Sequence, residues 1–243
     1  MQFLRTKKYD FTRAKDLFEK YMLLKFTFPK WFNYGESERQ KFWELFDSGF
    51  ITPLKKRDEE GRSVIFVQAQ KLDPKKFDFA DILRLITWIA QVMLEEEETQ
   101  ISGFVVIVAC TNVNFSHYAL FPLADVVNFV KIIRMSSVGR HNKMIMENLP
   151  SYATIMLDIA KRVMSEKFRS RILLLKEMAE LENEIDTSIL PSEVFEGNDS
   201  QQSMLDNFKR LSNQREDIIK SINDGVDWER VEFENDNESC SIM

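Results

Sequence analysis

The first fifty residues place apolar and polar side chains with the period of an amphipathic helix. Across residues 11–26, apolar side chains recur every three or four positions, and Asp10 stands where a helix N-cap is expected. Residues 36–50 repeat the pattern and reach Gly49, a residue type common just after a helix. We therefore predict two amphipathic helices that pack on a larger body.

From residue 62 onward, short apolar runs alternate with longer segments of helical period. The runs typical of strands lie within residues 62–72, 103–110, 143–150 and 171–175. The second run contains FVVIV, which is apolar on both faces, as in a buried parallel strand. Strands that alternate with helices predict a mixed α/β fold with a mostly parallel sheet and helices banked on it.

The last part of the chain differs in composition from the rest. Residues 191–203 are typical of a linker, residues 204–224 predict one more amphipathic helix, and the remainder is acidic and expected to be mobile. We divide the chain into a helical segment (1–50), an α/β domain (51–197) and a C-terminal helix with an acidic tail (198–243).

Composition narrows the class of protein. A chain of 243 residues with 44% hydrophobic residues, 12% aromatic residues and only 7 glycines indicates a helix-rich globular protein. No run reaches the roughly 18 apolar residues of a membrane span, and no apolar signal segment opens the chain, so a soluble cytoplasmic protein is expected. The two cysteines, Cys110 and Cys240, fit a reducing compartment and show no metal-ligand spacing, so neither a metal nor a cofactor is expected.

The net charge of −6 is unevenly distributed. Residues 181–243 carry 5 Lys/Arg and 16 Asp/Glu, a net charge of −11, which leaves +5 for residues 1–180. Nucleic-acid binding requires a dense stripe of Lys and Arg. A mildly basic body with an acidic appendage therefore argues against a nucleic-acid partner.

The stretch VACTNVNFSHYALFPL contains the residue types of a hydrolase nucleophile, namely Cys110, Ser116 and His117. The chain has no GxSxG turn, phosphate-binding glycine loop or HExxH motif. Nothing nearby supplies the orienting group and oxyanion hole that such a nucleophile needs. Strand-end packing and turn capping explain these residues better than catalysis does, and a Cys-His or Ser-His hydrolase remains the rival hypothesis.

The apolar content exceeds the apparent needs of one core layer. There are 11 Met and 20 Phe, and methionine adapts to apolar contents of irregular shape. A large core and an internal cavity both explain this surplus. The segment 152–164 has an apolar stripe followed by cations, so it could cover a pocket, lie on an anionic membrane or simply expose a charged face. That stripe consists of Tyr152, Ile155, Met156, Ile159 and Val163.

The order of motifs resembles the CRAL-TRIO lipid-binding family, within it the animal branch of α-tocopherol transfer protein and cellular retinaldehyde-binding protein. The resemblance spans roughly residues 3–197. Its matching stretches are FLRTKKYDFTRAKDLFEKY, GRSVIFVQAQKLDPKKFDFADILR, ETQISGFVVIVACTNVNFSHYALFPL, GRHNKMIMENLP, MSEKFRSRI and ILPSEVFEG.

This resemblance implies an N-terminal helical segment, an apolar cage floored by the sheet over residues 51–197, and a mobile lid helix that starts at Tyr152. Members carry one small hydrophobic lipid of the retinoid, tocopherol, carotenoid or phospholipid class between membranes, without enzymatic activity or a cofactor. The expected partners are that lipid and an anionic membrane surface, with phosphoinositides among the candidates, and the expected state is a monomer. The alternative is a cargo-free scaffold that acts in protein or phosphoinositide interaction.

The resemblance also assigns roles to individual residues. It implies that the cargo is lined by Leu83, Thr87, Ala90, Phe104, Val106, Val108, Ser116, Phe129, Ile132, Ile133, Met144, Met156, Ile159, Ala160 and Val163. Ser116 and His117 match the Ser-His pair of the family, and the hydroxyls of Ser116 and Thr87 would orient the cargo. A phosphoinositide or membrane site would comprise Arg140, Lys143, Lys167, Arg169 and Arg171, although Asn142 replaces one cation of the family pattern.

Two departures from the family concern the end of the buried strand and the N-terminal part, and the chain end shows a separate motif. Where the family often has Asp-Xaa-Xaa-Gly, residues 109–112 are Ala-Cys-Thr-Asn, and the N-terminal helical part is shorter than in relatives. The ending CSIM fits the C-a-a-X pattern that favours farnesylation of Cys240. No polybasic stretch adjoins it, so a chance ending explains it equally well.

Overall fold

A five-stranded sheet forms the centre of the structure, a computed structural model that describes residues 1–32, 36–136 and 138–224, without the side chains of residues 36–37, 131–136 and 218–224. Cys240 lies outside these residues. The strands are β1 (Ile51–Pro53), β2 (Ser63–Gln68), β3 (Phe104–Ala109), β4 (His141–Glu147) and β5 (Ile172–Leu175). They lie side by side in sequence order, with β1 antiparallel and the rest parallel. The predicted mixed α/β fold with a mostly parallel sheet is confirmed.

Helices precede, connect and follow the strands. They are α1 (Gln2–Thr6), α2 (Phe11–Thr27), α3 (Glu36–Asp47), α4 (Phe79–Leu94), α5 (Glu97–Ser102), α6 (Phe115–Ala119), α7 (Leu123–Ser136), α8 (Ser151–Val163), α9 (Glu166–Arg169) and α10 (Gln201–Asp224). Asp10 caps α2 as predicted, because its carboxylate accepts the Arg13 N–H at 3.0 Å. Gly49 follows α3 with φ of 73°, a conformation that favours glycine.

The apolar period over residues 78–100 indicates one continuous helix and no sequence pattern marks β1, so the prediction was wrong in both places. The segment 78–100 forms two helices, since the chain is extended at Glu96, whose carboxylate binds Arg57 at 2.5 Å and Arg215 at 3.1 Å. A continuous helix would also have placed a run of glutamates at its negative C-terminal end. The alternation of apolar residues does not reveal β1, because this strand is only three residues long and contains Pro53, which only an edge strand tolerates.

Side chains on one face of the sheet, here the back face, are completely enclosed. They are Val64, Phe66, Val105, Ile107 and Ile145, each at most 1% exposed. The segment between β5 and α10 covers them with Leu181, Ile185 and Leu190, and Met204 of α10 completes this cover. The Gln201 side chain anchors this cover by hydrogen bonds of 2.7 Å to Thr52 and to Gln68. The back face is therefore a solid core.

The opposite, front face lies toward α4, α7 and α8. Side chains of α4 pack over β2, and α8 packs with α7 over β4 and β5. None of the helices in the described ranges combines the length and hydropathy required to cross a bilayer.

The pairing of β3 with β4 contains an irregularity. Phe104 pairs with His141, whereas Val105 already pairs with Lys143, so Asn142 is an extra residue in β4. After this point the register is regular, with Val106 opposite Met144 and Val108 opposite Met146.

Candidate functional site

Six aliphatic side chains on the front face form a continuous surface across three strands. The register aligns Ile65, Val106 and Met144 in one row, and Val67, Val108 and Met146 in the next. We call these six residues the front-face patch. All six are half-buried, although their neighbours on the back face are fully buried. Apolar surface at the middle of the sheet thus stays accessible beneath the helices.

Two helical walls flank the front-face patch. On one side, Ile82, Leu85 and Ile89 of α4 belong to the cluster that packs against Ile65 and Val67. On the other side, Leu157 and Ala160 of α8 pack with Val130 of α7, and Met146 lies against this cluster. Val106 and Val108 of the central strand β3 lie between the two walls.

The structure brings together only some of the residues expected around a cargo. Val106, Val108 and Met144 lie in the patch, and Phe104 is buried at the amino end of β3 against the ring of His141, with ring centroids 6.1 Å apart. Sequence reasoning omitted Ile65, Val67 and Met146. Their period of two along SVIFVQ and MIM was the signal that could have identified them.

The expected cargo residues of α4 and α7 have other neighbours. Leu83 is 1% exposed and packs with Trp31, and the ring of Phe129 lies 6.3 Å from that of Trp31. The Thr87 hydroxyl lies 3.0 Å from the carbonyl oxygens of Trp31 and Arg84, so it is already engaged with the main chain. Ala90 is half-buried. The side chains of Ile132 and Ile133 lie outside the described part of the chain.

Helix α8 buries a different stripe from the predicted one. Ala153, Leu157 and Ala160 are buried, whereas Ile155 is 63% exposed. The other expected cargo residues of α8, namely Met156, Ile159 and Val163, are half-buried. Ala160 and Leu157 pack against Val130 of α7. Apolar residues lie on several sides of the helix, so the sequence pattern did not identify the stripe that is buried.

A buried polar cluster lies at the carboxyl end of β3. The N–H of Cys110 donates to the main-chain oxygen of Glu147 at 3.1 Å and to its carboxylate at 3.2 Å, and the Thr111 hydroxyl donates to the same carboxylate at 2.7 Å. Burial, together with the charge of Glu147, raises the pKa of the Cys110 thiol. The thiol therefore stays protonated and is a poor nucleophile.

Ser116 and His117 lie in the first turn of α6 and are the partners of its N-cap residue, Asn114. The Asn114 side chain accepts from the Ser116 N–H at 3.0 Å and from the Ser116 hydroxyl at 2.5 Å, and Nδ1 of His117 lies 2.8 Å from the same oxygen. Ser116 is exposed. Within the described residues, Cys110, Ser116 and His117 form no hydrogen bond between a nucleophile and a base, the contact on which a hydrolase of this type depends.

The expected basic site is divided between different environments. Arg140 donates to the carbonyl oxygen of Ile101 at 2.7 Å, and Arg171 donates to that of His141. Lys143 forms an ion pair with Glu184, so its charge is compensated. By contrast, Lys167 and Arg169 are exposed on α9.

His141 adds no charge to this region at neutral pH. Its ring lies between Phe104 and Phe168, with centroids 6.1 and 6.2 Å away. Burial, together with the charge of Arg171, lowers the pKa of His141 to about 4.

Comparison with known proteins identifies this architecture. Residues 47–194, well over half of the chain, match the CRAL/TRIO domain. The chain belongs to the CRAL/TRIO family. The family resemblance carried by the sequence motifs is thereby confirmed.

Several CRAL/TRIO relatives show comparable similarity. Clavesin-1 from Xenopus laevis is 26% identical over 174 residues, which cover 72% of this chain and 52% of that protein. Alpha-tocopherol transfer protein-like from Homo sapiens is 26% identical over 200 residues, or 79% and 56%. Clavesin-2 from Rattus norvegicus is 25% identical over 194 residues, or 79% and 59%. The chain thus spans about half the length of the curated relatives it matches.

A solved structure supports the fold. The crystal structure of Sfh5 superimposes with a TM-score of 0.55 and 12% identity, covering 84% of this chain and 72% of that one. Identity this low speaks for the fold alone. Membership of the CRAL/TRIO family implies lipid binding or transfer in general terms.

Proposed function

We propose that the protein binds one small hydrophobic lipid on the front-face patch and transfers it between membranes by movement of α8. The observation that carries this proposal is the difference in exposure between the two faces of one sheet. A core strand enclosed on both faces has no reason to leave aliphatic side chains accessible at its centre. A lipid that covered them would gain about 2.5 kcal/mol for each 100 Å² of apolar surface removed from water.

Features of α8 support its role as the lid. Among the described side chains, the cluster that joins it to α7 has only four buried members, Val130, Leu157, Ala160 and Met164. Small contact surfaces cost less to separate than large interdigitated ones. Half-buried Met156, Ile159 and Val163 would supply the apolar inner wall.

The surface beside the lid suits contact with an anionic membrane. Ile155 is 63% exposed and Phe115 is 71% exposed, and Phe115 contacts the first turn of α8 through Tyr152 at 5.7 Å between ring centroids. Lys167 and Arg169 follow α8 and are exposed. Exposed apolar side chains with nearby cations are the composition of a surface that docks on anionic lipid.

The primary test fills the patch. Val106→Trp places a large ring at the centre of the patch, so we expect native mass spectrometry to show a stoichiometric lipid on the wild type and none on the variant. Ile101→Trp is the matched control, because the Ile101 side chain is 52% exposed on α5 and is not part of the front-face patch. Lipid retained by Val106→Trp at the wild-type level would contradict the patch as the binding site. A wild-type protein without lipid would favour the cargo-free scaffold.

Adjacent positions on α8 separate the lid from the membrane contact. Met156→Asp introduces a charge on the inner wall and is expected to weaken lipid retention at least 100-fold, since burying an unpaired carboxylate costs several kcal/mol. Ile155→Asp changes the exposed side and is expected to spare retention while slowing transfer to anionic vesicles. Equal effects of both variants on retention would refute the assignment of the lid.

A further inference from the structure

A tyrosine hydroxyl is buried at the carboxyl end of β3 without a strong hydrogen-bond partner. The hydroxyl oxygen of Tyr118 is inaccessible to solvent, and none of the described residues forms a hydrogen bond of acceptable geometry with it. The Cys110 thiol neighbours it and interacts with it as a weak hydrogen-bonding group. Leaving such a hydroxyl unpaired costs about 1–3 kcal/mol, so its position calls for an explanation.

The hydroxyl lies at the end of the front-face patch. Cys110 follows β3 two positions after Val108 and so continues the same face of the chain. On the other side, the Tyr118 ring meets Tyr152 edge to face, with centroids 4.8 Å apart, in the first turn of α8. The Tyr118 hydroxyl thus sits between the end of the floor and the start of the lid helix. In open α/β sheets, ligands bind at this carboxyl edge of the strands.

The electrostatics of this end favour a neutral ligand group. Burial, together with the neighbouring Cys110 and Tyr152, raises the pKa of Tyr118, and that of Cys110 is also raised, so both remain protonated hydrogen-bond donors. The buried carboxylate of Glu147 uses its two oxygens on Cys110 and Thr111. A second carboxylate brought here by a ligand would meet its negative charge.

We infer that the Tyr118 hydroxyl, beside the Cys110 thiol, receives the polar end of the cargo, and that this end is an uncharged oxygen such as a carbonyl, ester or alcohol. This inference rests on the proposed lipid-binding function and specifies its ligand class. The lipid tail lies along the front-face patch, its oxygen accepts the Tyr118 O–H, and fatty-acid anions are disfavoured.

The test compares lipids that share one tail. The probes are a fluorescent C18 polyene supplied as methyl ester, primary alcohol, ionised free acid and plain hydrocarbon, titrated at pH 8 into the full chain. We expect the ester and the alcohol to bind more tightly than the acid. Tyr118→Phe removes one hydrogen bond and should weaken ester and alcohol binding about 5- to 10-fold while leaving the hydrocarbon unchanged.

A matched control and a second readout make the test specific. Tyr9→Phe removes the hydroxyl of a tyrosine that is 64% exposed between α1 and α2, outside the front-face patch and the lid, and is expected to leave all four affinities unchanged. The infrared band of the ester carbonyl should move to lower frequency on binding to the wild type and stay unshifted with Tyr118→Phe, whose melting temperature confirms that it is folded.

The outcomes separate this site from the proposed function. If no probe binds, including the hydrocarbon, the front-face patch is not a lipid site and both proposals fail. If the hydrocarbon binds but the head group makes no difference, or if Tyr118→Phe weakens ester and hydrocarbon binding equally, the inference about Tyr118 alone is overturned. Tighter binding of the acid than of the ester would overturn it as well.

Discussion

The two faces of the same sheet differ in how completely their side chains are buried. On the back face, Phe66, Ile107 and Ile145 have no exposed surface and lie under a cover that Gln201 fastens to the sheet. On the front face, Val106 and Val108, which flank Ile107 in β3, stay partly accessible between two helical walls. Neighbouring positions along one strand are therefore fully enclosed on one side of the sheet and leave apolar surface accessible on the other.

The largest expected effect on stability comes from pH, through a residue at the amino end of the front face. His141 has a pKa of about 4 in the folded protein, against its ordinary value of 6.5. Between these values the unfolded chain binds the proton of His141 more strongly than the folded protein does. The contribution of His141 to the free energy of unfolding is therefore constant above pH 6.5 and falls as the pH drops toward 4. The loss is up to about 3 kcal/mol.

Urea unfolding at a series of pH values measures this loss. His141→Gln cannot titrate, so its stability should decline less than that of the wild type between pH 6.5 and 4. Parallel pH profiles for the two proteins would show that His141 is not held neutral by its surroundings.

The next effect compares adjacent valines directly. Val105 is 1% exposed on the back face, and Val106 is half-buried in the front-face patch. Val105→Ala should lower the free energy of unfolding by about 2 kcal/mol, because it leaves a cavity in a closed core, whereas Val106→Ala should cost less than about 1 kcal/mol. Equal losses in urea unfolding without added lipid would mean that both faces are packed alike.

The smallest effect concerns two lysines. Lys143 pairs with Glu184, both partly exposed, so Lys143→Ala should cost about 0.2–1 kcal/mol of stability and leave binding to anionic vesicles unchanged. Lys167 is exposed on α9, so Lys167→Ala should spare stability and weaken vesicle binding roughly 5-fold. Vesicle sedimentation measures the binding. Weaker binding of Lys143→Ala together with unchanged binding of Lys167→Ala would mean that Lys143, and not Lys167, contacts the membrane.

The sequence predicted the succession of elements but not which surfaces they bury. The run FVVIV is apolar at every position, so periodicity identified β3 as a buried strand and could not distinguish its closed face from its accessible one. The same limit applied to α8, where apolar residues on several sides left the buried stripe undetermined.

Contacts between distant residues were beyond any local pattern. Lys143 and Glu184 are 41 residues apart, and the carbonyl oxygen that engages Thr87 belongs to Trp31, 56 residues earlier. Capping, by contrast, is local. The Asp10 cap was therefore predicted correctly, and turn capping was the preferred explanation for Ser116 and His117, which lie within three residues of Asn114.

The extra residue in β4 determines which of its side chains belong to the front-face patch. Because Asn142 is accommodated between two regular stretches of pairing, Met144 and Met146 face the same way as Val106 and Val108. If Asn142 took a place in the regular pairing instead, the rest of the strand would shift by one position, and Lys143 and Ile145 would stand where the two methionines are. The same amino acids, threaded without this irregularity, would thus bring a positive charge to the centre of the front face.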